Sequence, residues 1–74
     1  MTVTIEIDAP QLLPDLLAGL NAGGCSVELI NPQACRVILA PGVDVRAEVC
    51  QLRFYVRAWA LRYGDVALSV RPDA

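Results

Sequence analysis

Three arginines, Arg46, Arg53 and Arg57, stand at i, i+7 and i+11 in a stretch that reads as one long helix, so their guanidinium groups share one side of it. Such a row can receive carboxylates or phosphates, because each guanidinium offers a planar fork of donors. The reading preferred is a solvated flank that frames a contact patch. The remaining chemistry-bearing side chains exclude more than they suggest. The chain has no histidine and no lysine. It therefore lacks the ordinary base for a cysteine or serine nucleophile, the amine of a Schiff base and the lysine of a Walker-type phosphate loop. Cys25, Cys35 and Cys50 are odd in number, far apart and without a C-x-x-C, so no familiar zinc spacing occurs. Free, reduced and unreactive thiols are expected, with Cys25 and Cys35 behind a sheet and Cys50 on an outer helix face. The acidic residues, from Glu6 to Asp73, show no pairing that suggests acid–base work. The expectation is a protein that is not an enzyme and that has no metal site and no cofactor.

Composition narrows the partners. Net charge is −2 and all six cations are arginine, which argues against nonspecific nucleic-acid binding. Hydrophobic residues make up 55% of the chain, yet no apolar run approaches the roughly 18 residues of a membrane span. Thr2 to Ile7 already reads as a strand, so no charged leader followed by a hydrophobic segment opens the chain. A cytoplasmic protein is expected. Its 74 residues make one domain, 1–74. A domain of that size buries only about 60% of its unfolded surface and gains from association.

The elements that must position these residues follow from hydrophobic periodicity. Val3, Ile5 and Ile7 alternate with Thr2, Thr4 and Glu6 in a half-buried first strand. Asp8-Ala9-Pro10 leads into a helix marked by Leu13, Leu16, Leu17 and Leu20, with Asp8 or Ala9 at the cap. Pro14 requires either a separate tight turn over Gln11 to Leu13 or a kink. Gly23-Gly24 stops this helix. Cys25 to Ile30 is a second strand with Cys25, Val27 and Leu29 inward, and Asn31-Pro32-Gln33 turns the chain. Cys35 to Ala40 returns with Cys35, Val37 and Leu39 inward. Pro41-Gly42 ends it, and Asp44 caps the long helix. After Gly64-Asp65, Val66, Leu68 and Val70 point inward along a fourth strand, and Arg71-Pro72-Asp73-Ala74 is expected to fray. Right-handed crossovers then give an α+β, ferredoxin-like βαββαβ fold, with an antiparallel sheet of order 4-1-3-2 and both helices on one face.

The long helix, 44 to 63, has more apolar surface than one core contact requires. Val45, Val49, Leu52, Val56, Trp59, Ala60 and Tyr63 form the stripe that seats it, with Trp59 as an anchor. Ala47, Cys50, Phe54, Ala58 and Leu61 gather on the opposite side, with Arg53 and Arg57 beside them. A helix apolar on two faces is expected to be covered on both. The open face of the sheet should instead carry Thr2, Thr4, Glu6, Ser26, Glu28, Arg36, Ile38, Ala67, Ser69 and Arg71. With no aromatic among them it cannot stack bases as an RNA-recognition motif does.

The run Asp8-Ala9-Pro10-Gln11-Leu12-Leu13, followed by Leu16, Leu17, Leu20, Gly23, Gly24 and Val27, resembles the opening of the ACT domain. That family of small regulatory modules has a strand, then Asp-x-Pro-Gly-Leu-Leu, a leucine-rich helix, a small-residue stop and a second strand. The resemblance implies pairing of domains and a small-molecule effector, often an amino acid, held near Asp8, Pro10 and Gln11. Gln11 departs from the pattern, since the family's glycine lets backbone approach a ligand in a way glutamine does not. The function expected first is a small noncatalytic interaction or regulatory module. It would self-associate, most simply as a homodimer, or dock on a protein partner through Ala47, Cys50, Arg53, Phe54, Arg57, Ala58 and Leu61. An amino-acid-sensing domain is the alternative.

Overall fold

Strict alternation along the first strand decides which way the sheet faces. In β1 (Thr2–Ile7), Val3, Ile5 and Ile7 are buried while Glu6 is exposed. A computed structural model describes residues 1–64 and 66–73. After β1 come a 3-10 turn, Pro10–Leu12, and helix α1, Leu13–Ala22. Strands β2 (Ser26–Asn31) and β3 (Ala34–Ile38) form a hairpin, followed by helix α2 (Val45–Ala60) and strand β4 (Leu68–Pro72). The result is an α+β arrangement with two helices and one four-stranded sheet in the order β2-β3-β1-β4. Counted from the β4 edge, that order is 4-1-3-2. Every neighbouring pair is antiparallel. No helix among the described residues is long and apolar enough to cross a membrane.

The two possibilities at Pro14 resolve as a tight turn followed by an unkinked start. Leu12 is the N-cap of α1 and Pro14 sits in its first turn, where a missing N–H costs no ladder bond. Ala9 caps the 3-10 turn without a side-chain bond. Asp8 is committed elsewhere: its Oδ1 accepts a hydrogen bond from the Ala67 N–H at 3.0 Å, fastening the segment before β4 to the end of β1. At the far end of α1, Gly24 has φ +91° and lets the Cys25 N–H reach back to the Leu20 carbonyl at 3.0 Å. Asp44 caps α2, its Oδ1 accepting from the N–H groups of Arg46 at 3.0 Å and Ala47 at 3.4 Å.

One core lies between the sheet and the helices. Val3, Ile5, Ile7, Val37 and Val70 meet Leu13, Leu16 and Leu20 of α1 and Val49, Leu52, Val56, Trp59 and Ala60 of α2, together with Cys35 and Leu39. Val27 and Leu68 pack on its border and are only half-buried. Leu29 corrects the reading of the second strand. It pairs in register with buried Cys35 yet is 60% exposed, because β2 is an edge strand at the margin of the core. A register shift between Leu29 and Asn31 follows at once. Cys25 is half-buried rather than enclosed behind the sheet. Tyr63 is 41% exposed, at the open end of the stripe to which its spacing assigns it.

The second correction concerns the tail. Arg71 and Pro72 belong to β4, and the Asp73 N–H donates to the Thr2 carbonyl at 3.0 Å. The Asp73 carboxylate accepts from the hydroxyls of Thr2 at 2.5 Å and Thr4 at 2.7 Å, and Arg36 Nε lies 3.6 Å from it. Alternation on β1 puts both hydroxyls on the open face, where a carboxylate arriving from β4 finds two donors. Ala74, assigned to the same frayed tail, and Asp65, assigned to the turn before β4, lie outside the described residues.

These bonds make stability fall in acid. Hydrogen bonds from Thr2 and then Thr4 lower the Asp73 pKa, and hydrogen bonds from Tyr63 and then Trp59 lower that of Asp15. A carboxylate with a depressed folded-state value stabilises the fold above its ordinary value of 3.8 and loses that contribution as pH falls through the lowered one. The expected result is a denaturation midpoint that holds from neutrality down to about pH 5 and then declines. The double substitution Asp15→Asn, Asp73→Asn should flatten that decline. Parallel acid limbs for wild type and double variant would contradict the assignment.

Candidate functional site

Helix α2 divides its circumference among four surroundings. Its inner stripe enters the core. One flank meets α1: the Tyr55 hydroxyl stands over Gly19, where a built Cβ would come within 2.5 Å of it. On the same side Trp59 Nε1 donates to Asp15 Oδ2 at 3.0 Å, and the Tyr63 hydroxyl donates to the same oxygen. The two rings lie 4.9 Å apart at their centroids. This carboxylate therefore ties the first turn of α1 to the end of α2. Its bond holds the Tyr63 phenol above its ordinary pKa.

The opposite flank looks over β4, and the outer face is bare. Every residue expected at an interface, Ala47, Cys50, Arg53, Phe54, Arg57, Ala58 and Leu61, is exposed. Phe54 is 79% exposed and Leu61 78%, values that packing on this chain's own core cannot explain. Five of the seven, Cys50, Arg53, Phe54, Arg57 and Leu61, border a groove of about 790 Å³ between α2 and β4. Ala47 and Ala58 do not line it. Arg46 is outside the groove as well.

The other wall of the groove is what sequence reading missed. Val66, Leu68, Ser69 and Val70 supply it, and Arg53 Nη2 crosses the gap to donate to the Val70 carbonyl at 3.1 Å. The signal was available in the topology: an expected order of 4-1-3-2 already makes the fourth strand an edge. What periodicity does not give is which side of α2 lies over that edge.

Of the three residues assigned to an effector site, Asp8 alone lines a cleft. Asp8 borders a smaller cleft of about 310 Å³ with Glu6, Gln33 and Ser69, and its carboxylate is already bonded to the Ala67 N–H. Pro10 and Gln11 are exposed on the 3-10 turn and do not line that cleft. Among the described residues no group of three or more Cys, Asp or Glu side chains could hold a metal ion.

The cysteines occupy three different environments, half-buried Cys25, buried Cys35 and exposed Cys50. Desolvation pushes the Cys35 thiol up to about 11, which keeps it protonated and slow to react. A thiol reagent at neutral pH is expected to modify Cys50 first and Cys35 only at the rate of unfolding. Cys35 reacting as fast as Cys50 in the folded protein would overturn its placement in the core.

No family model matches the chain, and comparison with curated proteins and with solved structures finds no similar protein.

Proposed function

We propose that this chain is a ferredoxin-like domain acting as a small noncatalytic interaction module, which self-associates or docks on a protein partner through the outer face of α2. One observation carries the reading. Phe54 and Leu61, with Cys50 a turn before, stand almost fully in solvent on the face opposite the core stripe. Isolated exposed apolar residues mean little, but an aromatic, a leucine and a thiol bordering one groove form a patch. Arg53 and Arg57 would be its polar rim. Effector sensing at Asp8, Pro10 and Gln11 is the weaker reading, because Asp8 already serves Ala67 and the other two point to no shared cavity.

Replacing Phe54 with Asp is the test. The complex made through this face, read by sedimentation of the wild type alone at micromolar concentration and with a bound partner, is expected to be lost in Phe54→Asp while the monomer stays folded. A wild type that is monomeric throughout, with no partner contact sensitive to Phe54→Asp, would end the proposal.

A further inference from the structure

The free edge of β4 has a short, defined set of unmet backbone groups. The Asp73 N–H bonds the Thr2 carbonyl and the Asp8 N–H bonds the Ala67 carbonyl, so the hydrogen-bonded pairs of β1 and β4 are 2 with 73, 4 with 71, 6 with 69 and 8 with 67. Antiparallel ladders alternate. The N–H and C=O groups of Leu68 and Val70 therefore point away from β1, toward the groove beside α2. Pro72, next in that outward series, has no N–H to offer. Leu68 and Val70 are the residues of β4 that carry both an outward N–H and an outward C=O.

One of these outward acceptors is already taken. Arg53 Nη2 donates to the Val70 carbonyl, standing where the N–H of an added strand would stand. The apolar side chains of Phe54 and Leu61 line the same groove, and Arg57 is on the same wall. The only charged side chains among the described lining residues are these two guanidinium groups, in a chain whose net charge is −2. A second copy meeting this groove about a twofold axis would bring arginines toward arginines. An extended peptide with a carboxylate meets no such opposition.

We propose that the groove between α2 and β4 binds an extended peptide segment that adds to the sheet at Leu68 and Val70, places an apolar side chain against Phe54 and Leu61, and gives a carboxylate to Arg53 and Arg57. On binding, a peptide N–H takes over the Val70 carbonyl, and the Arg53 fork released from it turns to the carboxylate. Main-chain bonds supply affinity and the side-chain contacts supply selection, as in other cases of strand addition. The inference rests on the docking role of the outer face of α2 and names its occupant.

A displayed library of random octapeptides, selected on the wild-type protein and counter-selected on Arg57→Gln, tests it. The recovered sequences should alternate apolar positions and carry Asp, Glu or a free C-terminus within reach of the arginines. A synthetic copy of a recovered peptide should slow hydrogen exchange at the Leu68 and Val70 amides. Amidating its carboxylate, or substituting Arg57→Gln, should each weaken binding about tenfold or more, which is the loss of about 1.4 kcal/mol. Leu68→Pro, which removes an outward N–H at an edge position that tolerates proline, should weaken binding as well. No recovered binder, or binders indifferent to Arg57→Gln, would overturn the proposal. Peptides sensitive to Phe54→Asp that leave the Leu68 and Val70 amides unprotected would end strand addition but keep the docking face. Protection of those amides by self-association alone would make the occupant a second copy. Binding insensitive to both Phe54→Asp and Leu68→Pro would end both readings.

Discussion

Trp59→Ala is expected to lower stability by about 3–5 kcal/mol, close to the whole margin of a domain this size. The indole is buried at the junction of α1, α2 and the sheet, so its loss opens a cavity that Leu16, Val56 and their neighbours cannot close without moving helices. It also removes one of the two donors that hold Asp15, leaving Tyr63 as the other. Trp59→Phe separates the contributions: it keeps most of the volume and loses the N–H, so it should cost clearly less than Trp59→Ala. Urea unfolding followed by circular dichroism reads both. Equal, small losses for the two would mean that the indole neither fills the core nor carries the link.

Leu52→Ala comes next, at about 2–5 kcal/mol. Leu52 lies midway along α2 and is 6% exposed, flanked on the same stripe by Val49 and Val56. Truncation there opens a cavity inside the one core that the sheet and both helices share. Gln51→Ala, one residue away and exposed, is the control and should shift the midpoint little. If Leu52→Ala and Gln51→Ala behaved alike, the helix would be rotated from the orientation that every statement about its outer face assumes.

That orientation was legible in the sequence because a 3.6-residue period distinguishes the two sides of a helix. Val49, Leu52, Val56 and Trp59 are spaced for one side, and Cys50, Phe54 and Leu61 for the other. The strands were legible for a similar reason, with period two in Val3, Ile5 and Ile7 and again at Leu68 and Val70. Periodicity assigns a face but not its cover, so Leu29 has the inward phase and still lies in solvent at the sheet's margin. Cross-chain polar bonds left no local trace at all. Asp73 meets Thr2 and Thr4 across nearly the full sequence, and Arg53 meets a carbonyl 17 residues on. Asp8 has the composition of a helix cap but is used by a backbone N–H 59 residues away. The resemblance therefore implied an effector loop at a residue that the fold uses as a fastening.

The Asp73 carboxylate clasps β1 to β4 at the point where the first and last strands leave the sheet side by side. Drawn apart from those two ends, the molecule would not resist as a sheared ladder does, with many bonds loaded together. Tension would fall across the strands and open them one pair at a time, beginning at the clasp. Because β1 is also the partner of β3, each pair released from β4 exposes a strand that the rest of the sheet depends on. The domain should thus be mechanically soft along this direction, and Thr4→Val, which leaves the folded core intact, should make it softer still.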